Sequence, residues 1–121
     1  MLNLKSTILI NLLLILSFSF ASKLPHPLDF KGTDAEKEVV IKYIKEYVKE
    51  TYTAIGMGDA ITLRMMEEEN LNSFKELTKA KDRKLLDQVI QTYCEIGMCD
   101  YITILMMYEE SLRATQQKLE W

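Results

Sequence analysis

The segment TYTAIGMGDAITLRMMEEENL, Thr51–Leu71, realigns without gaps on TYCEIGMCDYITILMMYEESL, Thr92–Leu112, at an offset of 41 residues. Thirteen of the 21 positions are identical. This self-match limits the fold more than any other feature, because whatever one segment builds the other is expected to build again. Outside it the similarity falls away, although Ile44/Leu85 and Val48/Val89 keep an apolar phase. The period suits a helical hairpin in which each unit is one supersecondary element.

Turn geometry accounts for most of the shared positions. Gly56 and Gly97 fit the left-handed residue just past a helix end, where a Cβ is penalised. Met57 and Met98 follow, and a Schellman ending brings each against the residue five places earlier, Tyr52 or Tyr93. Two residues beyond each methionine stand Asp59 and Asp100, positioned to cap the next helix. Further along, Ile61/Ile102, Met65/Met106 and Leu71/Leu112 are expected to form a buried seam, widened by Met66/Met107. The spacing predicts helices over 34–55, 59–80, 82–96 and 100–119.

Helix 1 opens on Thr33-Asp34-Ala35-Glu36, the pattern of a capping box. Its apolar residues recur at Val39, Val40, Tyr43, Ile44, Tyr47, Val48, Tyr52 and Ile55, every three or four residues. Asp82 is the expected N-cap of helix 3. The fold class is therefore all-α: two duplicated helical hairpins, near 34–74 and 75–115, packed as a small four-helix domain. Two units are too few for a solenoid, which usually needs three or more.

The first residues have a different character. Lys5 precedes an apolar run from about Ile8 to Phe20, and Ser19-Phe20-Ala21 offers a small-x-small exit. Those are the three parts of a signal peptide, with an apolar region of roughly 7–15 residues. A spanning helix needs about 20 apolar residues, and Asn11, Ser17 and Ser19 interrupt this run. Cleavage is expected after Ala21, leaving no stable membrane anchor. Residues 22–33, with Pro25, His26, Pro27 and Gly32, read as an extended leader, and 34–121 as the helical domain. The expected location is secreted or periplasmic.

Export sets the terms for everything after it. Removing Lys5 leaves 14 basic and 18 acidic side chains in residues 22–121, a net charge of 14 − 18 = −4. Such a domain lacks the dense basic face that nucleic acid requires. Cys94 and Cys99, on either side of the second corner, are expected to pair in an oxidising compartment. The first repeat carries Thr53 and Gly58 at those positions, so the hairpin does not depend on a bridge.

Catalytic and metal chemistry find little to work with. The single histidine, His26, lies in the leader and reads as exposed rather than as a general base. A zinc site would need four ligands, and a carboxylate-bridged metal pair normally needs Glu-x-x-His motifs. Glu68/Glu109 and Glu69/Glu110, matched between repeats, read as a solvated acidic face. Six of the seven methionines lie in the repeat, and core packing explains them better than an apolar groove or Cu(I) ligation. No enzyme activity and no cofactor are expected.

What remains is a small exported, non-catalytic protein-interaction module. The alternative is an exported carrier of a small apolar ligand, suggested by Tyr43, Tyr47, Tyr52, Tyr93, Tyr101 and Tyr108. A protein partner is expected in the first case. Helix 4 is apolar nearly all round, so it is either central in the domain or shared with a second copy in a homodimer.

Overall fold

The structure, a computed structural model, describes residues 23–121. Four helices pack together and no strand forms among the described residues: α1 Asp34–Ala54, α2 Ala60–Leu77, α3 Arg83–Glu95 and α4 Tyr101–Gln116. A 3-10 turn, Pro27–Asp29, precedes them. Cleavage after Ala21 and the apolar run before it lie outside the described residues.

Each helix starts on a side chain that answers one of its unpaired first-turn amides. Thr33 Oγ1 accepts from the Glu36 amide at 3.2 Å while Glu36 Oε1 accepts from the Thr33 amide, completing the capping box. Asp59, Asp82 and Asp100 accept from the amides of Thr62, Leu85 and Thr103 at 2.9, 3.0 and 2.8 Å.

Packing runs in the spatial order α1, α2, α4, α3. The core is built from Val40, Tyr43, Ile44 and Val48 of α1, Phe74 and Leu77 of α2, and Leu86 and Val89 of α3. Tyr101, Ile104 and Tyr108 of α4 complete it. An aromatic chain passes through its centre, from Phe30 to Phe74 to Tyr101 to Tyr43, with ring centroids 5.0–5.9 Å apart. These are edge-to-face contacts that suit the ring quadrupole.

Helix α4 takes one of the two middle places, touching both α2 and α3. The repeat is least alike where this matters. Tyr101, Leu105 and Tyr108 pack in or against the core, whereas their counterparts in the first unit are Ala60, Arg64 and Glu67. Ala60 is exposed, and Arg64 forms a 2.7 Å ion pair with Glu67.

The expected seam has the wrong phase. Ile61, Met65 and Met106 are exposed, and Ile102, Leu71 and Leu112 are only half-buried. The core face of α2 is instead Leu63, Met66, Asn70, Phe74 and Leu77. Phe74 decides that phase, because its ring is wedged between Phe30 and Tyr101. Core packing therefore explains Met66 and Met107 but leaves Met57, Met65, Met98 and Met106 exposed.

The leader also differs from a plain extended arm. Leu24 and Pro27 are buried, and the Tyr101 hydroxyl donates to the Pro25 carbonyl at 2.8 Å. His26 is half-buried rather than exposed: Nδ1 accepts from the Leu28 amide, so Nε2 of the neutral ring donates to Asp87 at 2.7 Å. Arg83 reaches Asp29 at 2.8 Å, and that hydrogen bond holds the Asp29 carboxyl below its ordinary value. The segment is a strap across α2, α3 and α4, shaped by proline and anchored by side chains distant in sequence.

Candidate functional site

The two helix–helix corners share one backbone design. Gly56 has φ 77° and Gly97 φ 79°, the left-handed region that glycine enters without penalty. The Met57 amide donates to the Tyr52 carbonyl at 2.8 Å, and the Met98 amide to the Tyr93 carbonyl at 2.9 Å. The glycine amides donate to Thr53 and Cys94 carbonyls at 3.1 and 3.2 Å. Both are Schellman endings.

The second corner lies against the middle of α1. Tyr43 and Tyr47 of α1 donate to the carbonyls of Cys99 and Gly97 in the second corner, at 2.6 and 3.0 Å. Burial and then the Asp100 carboxylate push the Tyr52 phenol above its ordinary value, which places the end of α1 within electrostatic reach of the second corner. Burial likewise raises the phenols of Tyr43 and Tyr101. The Thr62 amide holds the Asp59 carboxyl low. The hydroxyls of Tyr43, Tyr47, Tyr101 and Tyr108 are all engaged with backbone groups, the last accepting from the Asp82 amide.

A disulfide joins Cys94 and Cys99, with Cα atoms 4.2 Å apart. The first corner shows how the same geometry closes without sulfur. A Cβ placed on Gly58 would lie 2.9 Å from Thr53 Oγ1 and 3.5 Å from Thr53 Cβ. The threonine hydroxyl thus occupies the space that a side chain at 58 would need. A Cβ–Cβ distance near 3.5 Å is also what a disulfide requires. Thr53→Cys with Gly58→Cys is accordingly expected to oxidise to a second intrachain bridge, shown by loss of two free thiols without dimer formation. The converse exchange, Cys94→Thr with Cys99→Gly, should keep the helical far-ultraviolet spectrum and lower stability by at most about 2 kcal/mol, the loop entropy of so short a ring. Loss of the fold would show that the corner depends on its bridge.

Around the two corners and the starts of α2 and α4, apolar side chains remain in solvent in matched pairs. Ile55 and Ile96 are each 64% exposed, Met57 and Met98 46% and 43%, and Met65 and Met106 54% and 52%. Ile61 is exposed and Ile102 half-buried. Met57, Ile61 and Met65 recur every four residues, as do Met98, Ile102 and Met106, so each set forms a stripe leading down its helix. The helices α2 and α4 are neighbours, but Tyr101 at the start of α4 lies beside Asn70 and Phe74 of α2, so the two stripes are staggered along the pair. One turn further on come Glu68 and Glu69 on α2, and Glu109 and Glu110 on α4. Glu110 pairs with Arg113. The repeat identity points to these positions, and their recurrence at intervals of four is the sequence signal of a face separate from the core.

A concavity of about 850 Å³ lies between α1 and α3. Tyr43, Tyr47, Ile90 and the Cys94–Cys99 corner line it, with Glu46, Glu50 and Glu95 at its edges and the strap along one side. It is open to solvent. Among the described residues no group of three or more His, Cys, Asp or Glu side chains is placed to hold a metal ion. No helix there is long and apolar enough to cross a membrane.

Comparison of the chain with protein-family models, with curated proteins and with solved structures returns no significant match.

Proposed function

We propose that this chain is a small exported, non-catalytic protein-interaction module built from two copies of one helical hairpin. The observation that carries the reading is the set of large apolar side chains left in solvent at equivalent positions of the two units, with nearly equal exposure. A soluble domain gains nothing in its own stability from exposed Met and Ile at a corner, and grouped apolar surface of this kind is characteristic of interaction sites. Methionine suits the task, since its flexible thioether adapts to irregular partner surfaces. The duplicated corner supplies a rigid mount for it. The groove between α1 and α3 gives the apolar-carrier alternative less support, being open and edged by three glutamates.

A photoreactive side chain placed at Met106, used in the exported fraction of the cells that make the protein, tests the reading. The expected result is a defined set of protein adducts that the same probe at Lys42, exposed on α1, does not give. Identical adducts from both positions, or none from Met106, would remove the support. The mass of the exported chain reads out, in the same sample, whether it begins at Ser22.

A further inference from the structure

We infer that the groove between α1 and α3 is a binding site for a small organic amine, an ammonium carried on an aromatic or aliphatic body. The inference goes beyond the interaction-module reading and does not rest on the Met/Ile surface. It starts from the packing order α1, α2, α4, α3: its two end members are α1 and α3, and the groove is the gap left between them. The volume of about 850 Å³ falls within the roughly 300–1,000 Å³ of small-molecule sites.

The lining offers two kinds of surface. One is apolar and held in place. Tyr43 and Tyr47 stack with ring centroids 6.2 Å apart, and Ile90 and the Cys94–Cys99 bridge line the same groove. Both tyrosine hydroxyls are bonded to backbone carbonyls, so what the half-buried Tyr47 offers a ligand is ring rather than hydroxyl. The other surface is anionic. Glu46 and Glu50, one turn apart on α1, and Glu95 at the end of α3 stand along the groove. Of the two cations there, Arg83 is held by Asp29 at 2.8 Å, which leaves Lys23 against three glutamates. A further carboxylate acts on the same rings, since burial and then Asp100 raise the Tyr47 phenol.

Each class of ligand meets these surfaces differently. An anion faces three glutamates, and a wholly apolar molecule sets hydrocarbon beside carboxylates that need water or a partner. A cation on an apolar body suits both surfaces. Its ammonium meets the carboxylates and the ring of Tyr47, whose face attracts positive charge, and its body covers Ile90 and the remaining ring area. The same charge pattern rejects acidic competitors.

Three ligands of one shape test the site: phenethylamine, neutral phenethyl alcohol and anionic hydrocinnamate, each titrated into the protein and followed by amide chemical shifts. The amine is expected to shift Tyr47, Glu50, Ile90 and Glu95 to saturation. The alcohol should bind about tenfold more weakly and the anion not at all. Glu50→Gln with Glu95→Gln should weaken the amine about fivefold and leave the alcohol unchanged. Glu38→Gln with Glu120→Gln removes as much charge from exposed positions outside the groove and should alter neither. Tyr47→Phe keeps the ring and should retain the amine, whereas Tyr47→Leu should weaken it about threefold. Equal binding of the three ligands, no binding of the amine, an equal effect of the two glutamine pairs, or shifts confined to the corner methionines would overturn the inference. Helical circular dichroism of each variant separates lost binding from lost fold.

Discussion

Tyr101→Ala is expected to leave the domain close to unfolding in water. The ring is fully buried and touches both Phe74 and Tyr43, at centroid distances of 5.0 and 5.9 Å. Truncating a core aromatic to alanine costs roughly 3–5 kcal/mol, and a domain of this size has about 5–15 kcal/mol in all. The hydroxyl adds to this, because the Pro25 carbonyl loses its donor. Tyr101→Phe separates the two contributions. It keeps the ring and should cost only about 0.5–1.5 kcal/mol, the usual net worth of one hydrogen bond. Urea unfolding gives both values. Hydrogen exchange should show the phenylalanine variant loosened chiefly in the strap, at Leu24–Phe30. Equal losses in the two variants would mean that the ring contacts contribute little.

The second large effect is expected from a polar residue. Asn70 is 3% exposed, yet both ends of its amide are engaged: Oδ1 accepts from the Tyr101 amide at 3.0 Å, and Nδ2 donates to the Met66 carbonyl at 3.0 Å. A side chain from α2 therefore answers one of the orphan amides at the start of α4. Asn70→Leu preserves volume and removes that acceptor. Burying the unpaired Tyr101 amide should cost about 1–3 kcal/mol despite the gain in apolar area. Asn72→Leu, an exposed position on the same helix, is the internal control and should fall within about 0.5 kcal/mol of the parent chain. A neutral Asn70→Leu would show that water or a backbone shift satisfies the amide instead.

Asn70 also marks the limit of what the sequence could reveal. Caps and corners were legible because their causes are local: Thr33 with Glu36, and Gly56 and Gly97 each followed three residues later by Asp59 and Asp100. The Cys94–Cys99 pairing was legible for the same reason, being six residues that span one corner. The apolar composition of α4 left a middle place or a surface shared with a second copy as alternatives, and its contacts with both α2 and α3 give it a middle place. Packing phase was not available, because α2 and α4 carry apolar residues on two faces and only the position of Phe74 between Phe30 and Tyr101 says which is inside. The strap was hidden as well. Proline shows where a helix cannot run, but it does not show that Pro25 and His26 have partners more than sixty residues away.

Those partners bear on what counts as one half of this protein. The Tyr101–Pro25 and His26–Asp87 bonds span 76 and 61 residues, and Arg83 returns to Asp29 across 54. In each case the opening of the chain is joined to its second hairpin, not to the first that follows it. Two hairpins set end to end could in principle be pulled apart as separate modules, each keeping its own corner. Here a cut between them would leave the first hairpin holding a segment whose polar anchors belong to the second, and the second with Tyr101 stripped of Phe74 and the strap. Whatever the origin of the two units, they have become indivisible.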